Sequence, residues 1–534
     1  MNTQLKDLFL NESTLKEHLE KQETNIQEYI DCMTQLTEKY GIEFSIIKKA
    51  RILAVAMMRN DKNLSTYLLN TYKYELPDIM KTCQILDSRR FSNQLTKRLE
   101  KFKNKNKISK TKSLISNLKT LHEDTNASLS KSRVNFIKNN WLKKQTAQNL
   151  EDIALQYPTE LWKRLIDLLH PKETDFQLPW FSSYVFNNEE YPMESKLYQC
   201  AHMNKDNVLE TAKKYKLKYS YLKNNFPDLI KDNEELKYSI CTYSSLNEII
   251  TNLDDLMINS CLSQLLSRID KDELKIPYGE LVKRIQLIDD LICKNQIDNK
   301  VDKELIISLY KKLTDIAHKK LGEYNINIEK PIVVFGDASA SMDIAIRTSG
   351  IIASILSTLF GAKLHLFRSE DQIIEKPPTN VEEVITMSKE YKANNCTAPA
   401  KSLYPYYQRK EIVKTFIMVT DEVENTGYEG GWGNKEKWFA PLFKKYREEV
   451  YPAKLVFVSF LPNNKDGQMV SHLKELIPEI EKDIIQFILD SKKPDLRKLD
   501  ILLNKLMLES NVDDINEINQ LYSKDEDEFV TIEI

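Results

Sequence analysis

Three oxygen-bearing side chains follow an apolar run near the middle of the chain. The run covers residues 332–335, and the turn after it carries Asp337, Ser339 and Ser341, each two residues apart. Such a run is typical of a strand buried in a parallel sheet, and ligands bind at the carboxyl ends of these strands. A carboxylate with two hydroxyls suits a hard divalent cation, which prefers oxygen ligands. The motif therefore predicts a metal site, although the same serines could instead cap a helix without any metal.

Two further oxygen donors lie downstream. Thr397 follows a polar turn and opens a predicted helix, whereas Asp421 ends the apolar run of residues 415–420. Parallel strands end at one edge of a sheet, so all five donors are expected to meet there. The candidate metal ligands are Asp337, Ser339, Ser341, Thr397 and Asp421.

The elements that must position these donors alternate between strand and helix. Strands are predicted at residues 331–335, 363–367, 415–420 and 455–460, and helices at 344–359, 381–389, 473–489 and 499–508, with a charged helix ending near residue 451. This alternation indicates a doubly wound α/β sheet with parallel strands. We expect this domain to cover residues 328–510, and an acidic, solvated tail to cover 511–534.

The preceding part of the chain is patterned differently. No glycine lies between Gly41 and Gly279, which disfavours tight βα turns. Apolar residues recur at helical spacing over residues 46–58, 64–76, 79–86, 161–169, 262–269, 281–293 and 305–317. The pattern predicts a helical domain over residues 1–325. It is either a stack of paired helices resembling a solenoid or an irregular helical domain.

Composition limits the class of protein. A chain of 534 residues is too long for one core, and its 41% hydrophobic content is ample for globular folding. No apolar run approaches membrane-spanning length, and residues 1–30 lack the pattern of a signal peptide. Seven cysteines without a CxxC pair favour free thiols over disulfides or zinc. We expect a soluble, cytoplasmic protein, with the nucleus as an additional location, and no membrane partner.

Positive charge is concentrated in two segments of the helical half. Residues 89–112 contain ten cations and one acid, and residues 125–149 contain five cations and no acid. Such a surface can neutralise phosphates, and the interleaved Phe102, Phe136 and Trp141 could stack on unpaired bases. The alternative is a solvated helix face or loop without a ligand. The candidate nucleic-acid contacts are Arg89, Arg90, Lys97, Arg98, Lys101, Lys103, Lys105, Lys131, Arg133, Lys138, Lys143 and Lys144.

The metal motif resembles that of a known domain. DASAS, the threonine of NNCTAPAKSL and the aspartate of IMVTDE resemble the metal-ion-dependent adhesion site of the von Willebrand factor A domain. Residues 420–460 look like the same region of the Ro ribonucleoprotein (TROVE) family. The segments ARILAVAMMRNDKNLSTYLLNTY and WKRLIDLLHPK are similar to the helical part of that family.

The resemblance implies a von Willebrand A domain after a ring of HEAT-like repeats. It implies Mg²⁺ at the five donors, with Thr397 and Asp421 bound directly or through water, and an acidic group of a partner protein as an added ligand. The family binds small structured RNAs and single-stranded RNA ends on its ring. By that similarity His170 and Lys172 become candidate RNA contacts. His170 could instead simply cap the helix that it ends.

These residues are consistent with three candidate functions. The first is a non-enzymatic RNA-binding scaffold of the Ro type, with RNA on the basic helices and a partner at the metal site. The second is a metal-dependent protein-interaction scaffold without RNA. The third is a metal-dependent hydrolase with Glu422 and Glu424 as bases. Ser339 lacks the glycines of a nucleophile elbow and no histidine accompanies the site, so we expect no enzymatic activity.

Overall fold

The computed structural model divides the chain into two compact units. It describes residues 5, 8–9 and 13–510, apart from residues 40–41, 43, 100–107, 110, 113, 117, 120–124, 126, 188–190, 273, 295–300, 325, 327, 431–434 and 462–466. One unit lies within Met1–Tyr243 and the other within Ser244–Ser523. Helices that follow Tyr243 thus group with the sheet, whereas the predicted domain limits were 1–325 and 328–510. Those limits stay predictions, and the acidic tail lies outside the described residues.

The first unit is helical, and no strand occurs among its described residues. Its helices are α1 (Leu15–Thr24), α2 (Ile26–Thr34), α3 (Ile46–Met58), α4 (Lys62–Thr71), α5 (Leu76–Leu86), α6 (Ser88–Leu99), α7 (Lys131–Asn140), α8 (Ala147–Gln156), α9 (Thr159–Leu169), α10 (Phe181–Asn187), α11 (Lys196–Ala201), α12 (Val208–Tyr215), α13 (Tyr219–Asn225), α14 (Pro227–Ile230) and α15 (Glu234–Tyr243). The helical segments predicted from the apolar pattern correspond to α3, α4, α5 and α9. The finer prediction, a HEAT-like arrangement, stays a prediction.

Helix α3 illustrates how the local sequence sets these elements. Ser45 caps its N-terminus, where the hydroxyl accepts a hydrogen bond from the Lys48 N–H at 3.3 Å. The apolar stripe that includes Leu53 and Ala54 is fully buried. Helix α5 packs against both α3 and α9, so the stripe of each helix is covered by a neighbour in the same unit.

The second unit combines helices with one six-stranded sheet. Its helices are α16 (Leu246–Thr251), α17 (Asn259–Ile269), α18 (Tyr278–Cys293), α19 (Lys303–Glu323), α20 (Ile346–Phe360), α21 (Val381–Ser388), α22 (Pro399–Gln408), α23 (Phe439–Glu449), α24 (Gln468–Leu476) and α25 (Leu499–Ser510). Its strands are β1 (Ile332–Asp337), β2 (Lys363–Phe367), β3 (Asp371–Ile374), β4 (Thr415–Thr420), β5 (Lys454–Leu461) and β6 (Ile484–Asp490). None of the helices in the described part of the chain is long and apolar enough to cross a membrane.

The strand order places β1 next to β4. The order is β3-β2-β1-β4-β5-β6, and all neighbours are parallel except β2 and β3, which are antiparallel. After β1 the chain builds β2 and β3 on one side, and then returns to add β4 on the other. The strand order therefore reverses between β1 and β4, which is where open α/β sheets bind ligands.

Two features of the sheet differ from the sequence-based expectation. The helix predicted over residues 473–489 is wrong in its second half, because residues 484–490 form the edge strand β6. Its apolar run packs beside β5, and a short apolar run does not by itself separate a strand from a buried helix. Strand β3 was not predicted, because its four residues, DQII, form neither a continuous apolar run nor an alternation of polar and apolar residues.

Candidate metal site and candidate RNA contacts

Asp337 is fixed at the carboxyl end of β1. Gly336 pairs with Val419 across the β1–β4 ladder, so Asp337 lies opposite Thr420. The Thr420 hydroxyl donates to Asp337 Oδ2 at 2.7 Å, and the Ser339 N–H donates to Asp337 Oδ1 at 2.9 Å. Only 1% of the surface of Asp337 is exposed. The two hydrogen bonds hold its carboxylate in one orientation, at the point where the strand order reverses.

The two serines connect Asp337 to Asp421. Ser339 is buried, whereas Ser341 lies in the exposed turn that follows, and their Oγ atoms are 3.1 Å apart. The Ser341 hydroxyl is hydrogen-bonded to the Asp421 carboxylate. Asp421 also accepts the Val423 N–H at 3.0 Å. Four of the five predicted donors are therefore linked within one network at the sheet edge.

The electrostatics of this network suit a cation. Burial and the nearby Asp421 raise the pKa of Asp337 to about 7, although bonds from Ser339 and Thr420 act in the opposite direction. Burial also raises the pKa of Asp421, against the bonds from Ser341 and Val423. Two carboxylates in a poorly hydrated edge repel each other when both are charged. A divalent cation would offset that repulsion, so the donors fit the metal that the resemblance implies.

Thr397 reaches the same edge through its loop. The Asn394 N–H donates to the Ala338 carbonyl oxygen, and the Ala340 N–H donates to the Asn395 carbonyl oxygen, both at 3.1 Å. The Thr397 N–H donates to Asn425 Oδ1 at 3.0 Å. The loop of residues 394–398 is thus tied to the turn after β1 and to the segment after β4. Thr397 itself is buried.

Gly350 allows the start of this loop to pack closely on α20. A Cβ atom at Gly350 would lie 2.1 Å from the Tyr391 ring, so only glycine permits the contact. The Tyr391 and Ser354 hydroxyls are 2.9 Å apart, which anchors the ring on the helix. The close approach therefore anchors the chain that leads to Thr397.

The donor set is poor in nitrogen, sulfur and carboxylate ligands. Within the part of the chain that the structure describes, no group of three His, Cys, Asp or Glu side chains could hold a metal ion. The candidate site contains only two carboxylates, and its other donors are hydroxyls. Such a set is unlike the His and Cys ligands of zinc sites and resembles the partly hydrated sites of Mg²⁺.

Glu422 and Glu424, weighed as bases for a hydrolase, are engaged in the fold. The buried Glu422 carboxylate accepts the Val470 N–H at 3.0 Å and the Gln486 amide at 2.6 Å. Glu424 accepts the Phe439 N–H at 2.8 and 3.0 Å, at the N-terminus of α23. These bonds give both residues a structural role.

Replacing Glu424 by glutamine tests that structural role. Burial raises the pKa of Glu424 well above its ordinary value, despite the Phe439 and Ala400 N–H groups. A raised pKa stabilises the fold below the ordinary glutamate pKa, and this contribution is lost as pH rises through the folded pKa. The wild type should therefore lose stability relative to Glu424→Gln as pH rises, as measured by urea unfolding. An unchanged stability difference between pH 4 and pH 9 would contradict this.

The candidate RNA contacts on α6 are accessible. Arg89, Lys97 and Arg98 are exposed, and none has an ion-pair partner among the residues that the structure describes. Arg90 pairs with Asp87 at 3.0 Å. The apolar side of α6 contributes Leu95 to a small hydrophobic cluster, with Phe91 and Leu99 packed against it. The other members of the cluster are Leu114, Ile115 and Leu118. The predicted contacts Lys101, Lys103 and Lys105, together with Phe102, lie outside the described residues.

A second set of candidates surrounds Asp175. Lys143 and Lys138 lie 2.9 Å and 3.8 Å from its carboxylate. Burial opposes ionisation of Asp175, but the Lys172 N–H and the two ammonium groups lower its pKa below the ordinary value. Lys144 donates to Asn70 Oδ1 at 3.2 Å, and Lys131 is exposed. Part of the predicted positive charge is therefore neutralised within the unit.

His170 and Lys172 remain accessible. His170 ends α9 with a left-handed backbone, and its N–H donates to the Ile166 carbonyl oxygen at 2.8 Å. This is the capping role that the sequence suggested for it. The side chains of both residues are exposed, and a contact with RNA stays a prediction.

Two residues that were predicted to face nucleic acid form hydrogen bonds within the first unit. The Arg133 guanidinium donates to the carbonyl oxygens of Met57 and Met58 at 2.9 and 3.0 Å, so it caps the C-terminus of α3. Trp141 is buried, and its indole N–H donates to the Tyr74 carbonyl oxygen at 2.8 Å. These bonds use the indole N–H of Trp141 and the Nε and Nη2 groups of Arg133, and contact of either residue with nucleic acid stays a prediction.

Removing the Arg133 side chain should destabilise the first unit. A charged hydrogen bond contributes about 1.5–3 kcal/mol, so Arg133→Ala is expected to lower the free energy of unfolding by about that amount. Denaturant unfolding measures the change, and Lys131→Ala, from the same helix turn, is the control that should leave stability unaltered. Equal stabilities of the two variants would contradict the capping role.

Sequence reasoning missed the residues that hold the donors in place. Thr420 fixes Asp337, and Asn425 holds Thr397. The only sequence signal is their position beside Asp421, at the end of β4 and in the loop after it. Their partners are 83 and 28 residues away, so no local pattern identifies the contacts.

Comparison with known proteins finds a likeness among solved structures. No family model matches the sequence, and no curated protein matches it either. Among solved structures, the Ro (RSR) protein of Deinococcus radiodurans aligns over 89% of this chain and 93% of its own, with 12% sequence identity and a TM-score of 0.47. At that identity and score, the likeness carries no statement about function.

Proposed function

We propose that this protein is a non-enzymatic scaffold that binds RNA on its helical unit and a partner protein at a metal site on its second unit. The observation that supports it best is the network of Asp337, Ser339, Ser341 and Asp421 at the strand-order reversal between β1 and β4. No histidine among the described residues is hydrogen-bonded to Asp337, Ser339 or Ser341, and the nearby Glu422 and Glu424 carboxylates are bonded to other parts of the fold. A binding role therefore accounts for the site better than turnover does.

The second unit is proposed to be a von Willebrand A domain with Mg²⁺ at its adhesion site. Asp337, Ser339 and Ser341 would hold the ion, with Thr397 and Asp421 contributing directly or through water. Bound Mg²⁺ would supply an open position for a carboxylate oxygen of the partner. Ser341, the exposed member of the set, marks the side from which that carboxylate approaches.

The first unit is proposed to bind small or single-stranded RNA, as in the Ro family. Three exposed cations on α6, together with Lys131, Lys144, His170 and Lys172, remain available for phosphates. The buried Trp141 does not contribute, so stacking on bases would fall to other rings, of which Phe136 is half-buried. A HEAT-like arrangement of α1–α15 belongs to the same proposal.

A scaffold without RNA is the second candidate. It is favoured by the lysines around Asp175 and by Arg133, because four of their donor groups are already bonded within the first unit. The two candidates share the metal site. They differ only in whether the remaining cations contact phosphates.

Two binding measurements on the full-length protein test the proposal. Mg²⁺ titration followed by calorimetry tests the metal site, and filter binding of a single-stranded RNA homopolymer at low salt tests the helical unit. Binding of both ligands supports the scaffold with RNA, and binding of Mg²⁺ alone supports the second candidate. The absence of Mg²⁺ binding at millimolar concentration would remove the partner site from the proposal.

A further inference from the structure

An exposed thiol lies against a lysine in the second unit, away from the metal site. Cys293 is the last residue of α18, and Lys389 directly follows α21. Cys293 Sγ and Lys389 Nζ are 3.0 Å apart, although 96 residues separate them in sequence. Both side chains are accessible to solvent.

A buried carboxylate fixes this pair. Lys389 Nζ lies 2.8 and 2.6 Å from the two carboxylate oxygens of Asp289, whose side chain is only 8% exposed. The Cys293 thiol donates to Asp289 Oδ1 at 3.9 Å. Bonds to Asp289 and Cys293 raise the pKa of Lys389 against the effect of burial. Thiol, amine and carboxylate thus form a cluster whose members are held by two different elements.

The other cysteines lack this combination. Cys32, Cys83, Cys200, Cys241 and Cys261 are buried. Cys396 is half-buried, and no ammonium group among the described residues lies within hydrogen-bond distance of it. Of the seven cysteines, Cys293 is therefore the one that is exposed to a small oxidant and also has an amine in contact with its sulfur.

Tyr310 and Asp290 are further ionisable neighbours of this cluster among the described residues. Tyr310 is hydrogen-bonded to Asp289, and its pKa is raised by burial and by Asp289, Glu382 and Cys293. Asp290 pairs with Arg347 at 2.6 Å. Asp289 is therefore the acid in direct contact with both the amine and the thiol.

We propose that Cys293 is a modification site that hydrogen peroxide oxidises and that Lys389 then captures in a covalent sulfur–nitrogen bond. The proposal is independent of the metal site and of RNA. It rests on the 3.0 Å contact, on the exposure of the thiol and on the buried carboxylate beside both groups.

The chemistry balances in two steps. In the first, the thiol attacks one oxygen of hydrogen peroxide, the O–O bond breaks, and sulfenic acid and water form. Sulfur loses two electrons and the peroxide gains them. In the second, the Lys389 amine attacks sulfur, the S–O bond breaks, and a sulfenamide and water form without further electron transfer. Before the attack, the Lys389 ammonium group passes one proton to Asp289, which releases it to solvent, and this frees the amine lone pair. The nitrogen loses its second proton to the leaving hydroxide, which departs as water.

The bond would join the end of α18 to the segment after α21. A thiol reverses it by attacking sulfur, which frees the amine and gives a mixed disulfide that a second thiol reduces. The site would therefore respond to peroxide and recover in a reducing environment.

Peptide mapping of the peroxide-treated full-length protein tests the proposal. A Cys293–Lys389 crosslinked peptide is expected in the native protein, and dithiothreitol is expected to remove it. In Lys389→Arg the cation beside Asp289 is kept, but the crosslink should be lost and a sulfenic acid that dimedone traps should appear at Cys293. Cys396 serves as the internal reference thiol.

The opposite results would overturn the proposal. These are the absence of the crosslink in native protein whose Cys293 is oxidised, or oxidation of Cys293 no faster than that of Cys396. Cys293→Ser, which removes only the sulfur, must also lack the crosslink. A crosslink to Lys389 that persists in this variant would assign the reaction to another residue.

Discussion

The Asp337→Asn variant is expected to fold normally without metal and to lose stabilisation by Mg²⁺. The asparagine carbonyl oxygen can still accept the Ser339 N–H, and its amide NH2 can donate to the Thr420 hydroxyl oxygen in place of the bond that the hydroxyl donates to Asp337. The substitution removes the charge that repels Asp421. A ligand present at a hundredfold excess over its dissociation constant stabilises a fold by about 2.7 kcal/mol. We expect that increment in the native protein and almost none in the variant. Thermal unfolding at pH 8, with and without Mg²⁺, measures both.

Asp343→Asn is the matched control for this result. Asp343 is an exposed aspartate in the same turn, and it does not belong to the donor set. Its variant should retain the full effect of Mg²⁺. If Asp337→Asn retains that effect too, the ion binds elsewhere; if native protein shows no effect, the proposed metal site is wrong.

Exchanging Lys97 and Arg98 for glutamate is expected to weaken binding of single-stranded RNA and to reduce its dependence on salt. Both side chains are exposed on α6 without an acidic partner among the described residues. Each phosphate that a cation neutralises contributes about 0.7 to the slope of log affinity against log salt concentration. Each substitution that removes such a cation should therefore reduce the slope by that amount. Filter binding of an RNA homopolymer over a range of salt concentrations measures it.

Lys163→Glu provides the comparison for this charge reversal. Lys163 lies on α9 in the same unit, but it is 3.0 Å from the Glu160 carboxylate. Lys163→Glu changes the net charge by the same amount as Lys97→Glu or Arg98→Glu does alone, but the cation that it removes is already paired with an acid. Equal losses of affinity in both variants would indicate a general charge effect and would remove α6 from the proposed RNA surface.

The local sequence pattern was sufficient to predict most helices and strands of the second unit. β1, β4 and β5 were predicted from largely apolar runs, because strands of a parallel sheet are buried on both faces. β2 was predicted as a short strand from the segment KLHLF. β6 has the same kind of run, but it follows a helical segment closely and was assigned to it. Only its pairing with β5, from Leu455 opposite Ile484 onward, distinguishes it as a strand.

The roles of individual charged side chains were harder to predict from the sequence than the helices and strands. Arg133 and Lys143 look alike in a basic segment, yet one caps α3 and the other neutralises Asp175. Charge density predicts that a surface is basic. It does not predict which cations the fold uses, because their partners are brought near by packing.

The sequence by itself determined the chemical character of the candidate metal site. The types and spacing of Asp337, Ser339 and Ser341 after an apolar run were sufficient to predict oxygen donors at the end of a strand. Only the tertiary structure decided that β4 lies beside β1, that Thr420 orients Asp337, and that Lys389 meets Cys293. The physical reason is distance along the chain. The spacing of side chains within one helix or strand follows from the periodicity of that element. Contacts between different helices and strands depend on the strand order and on packing.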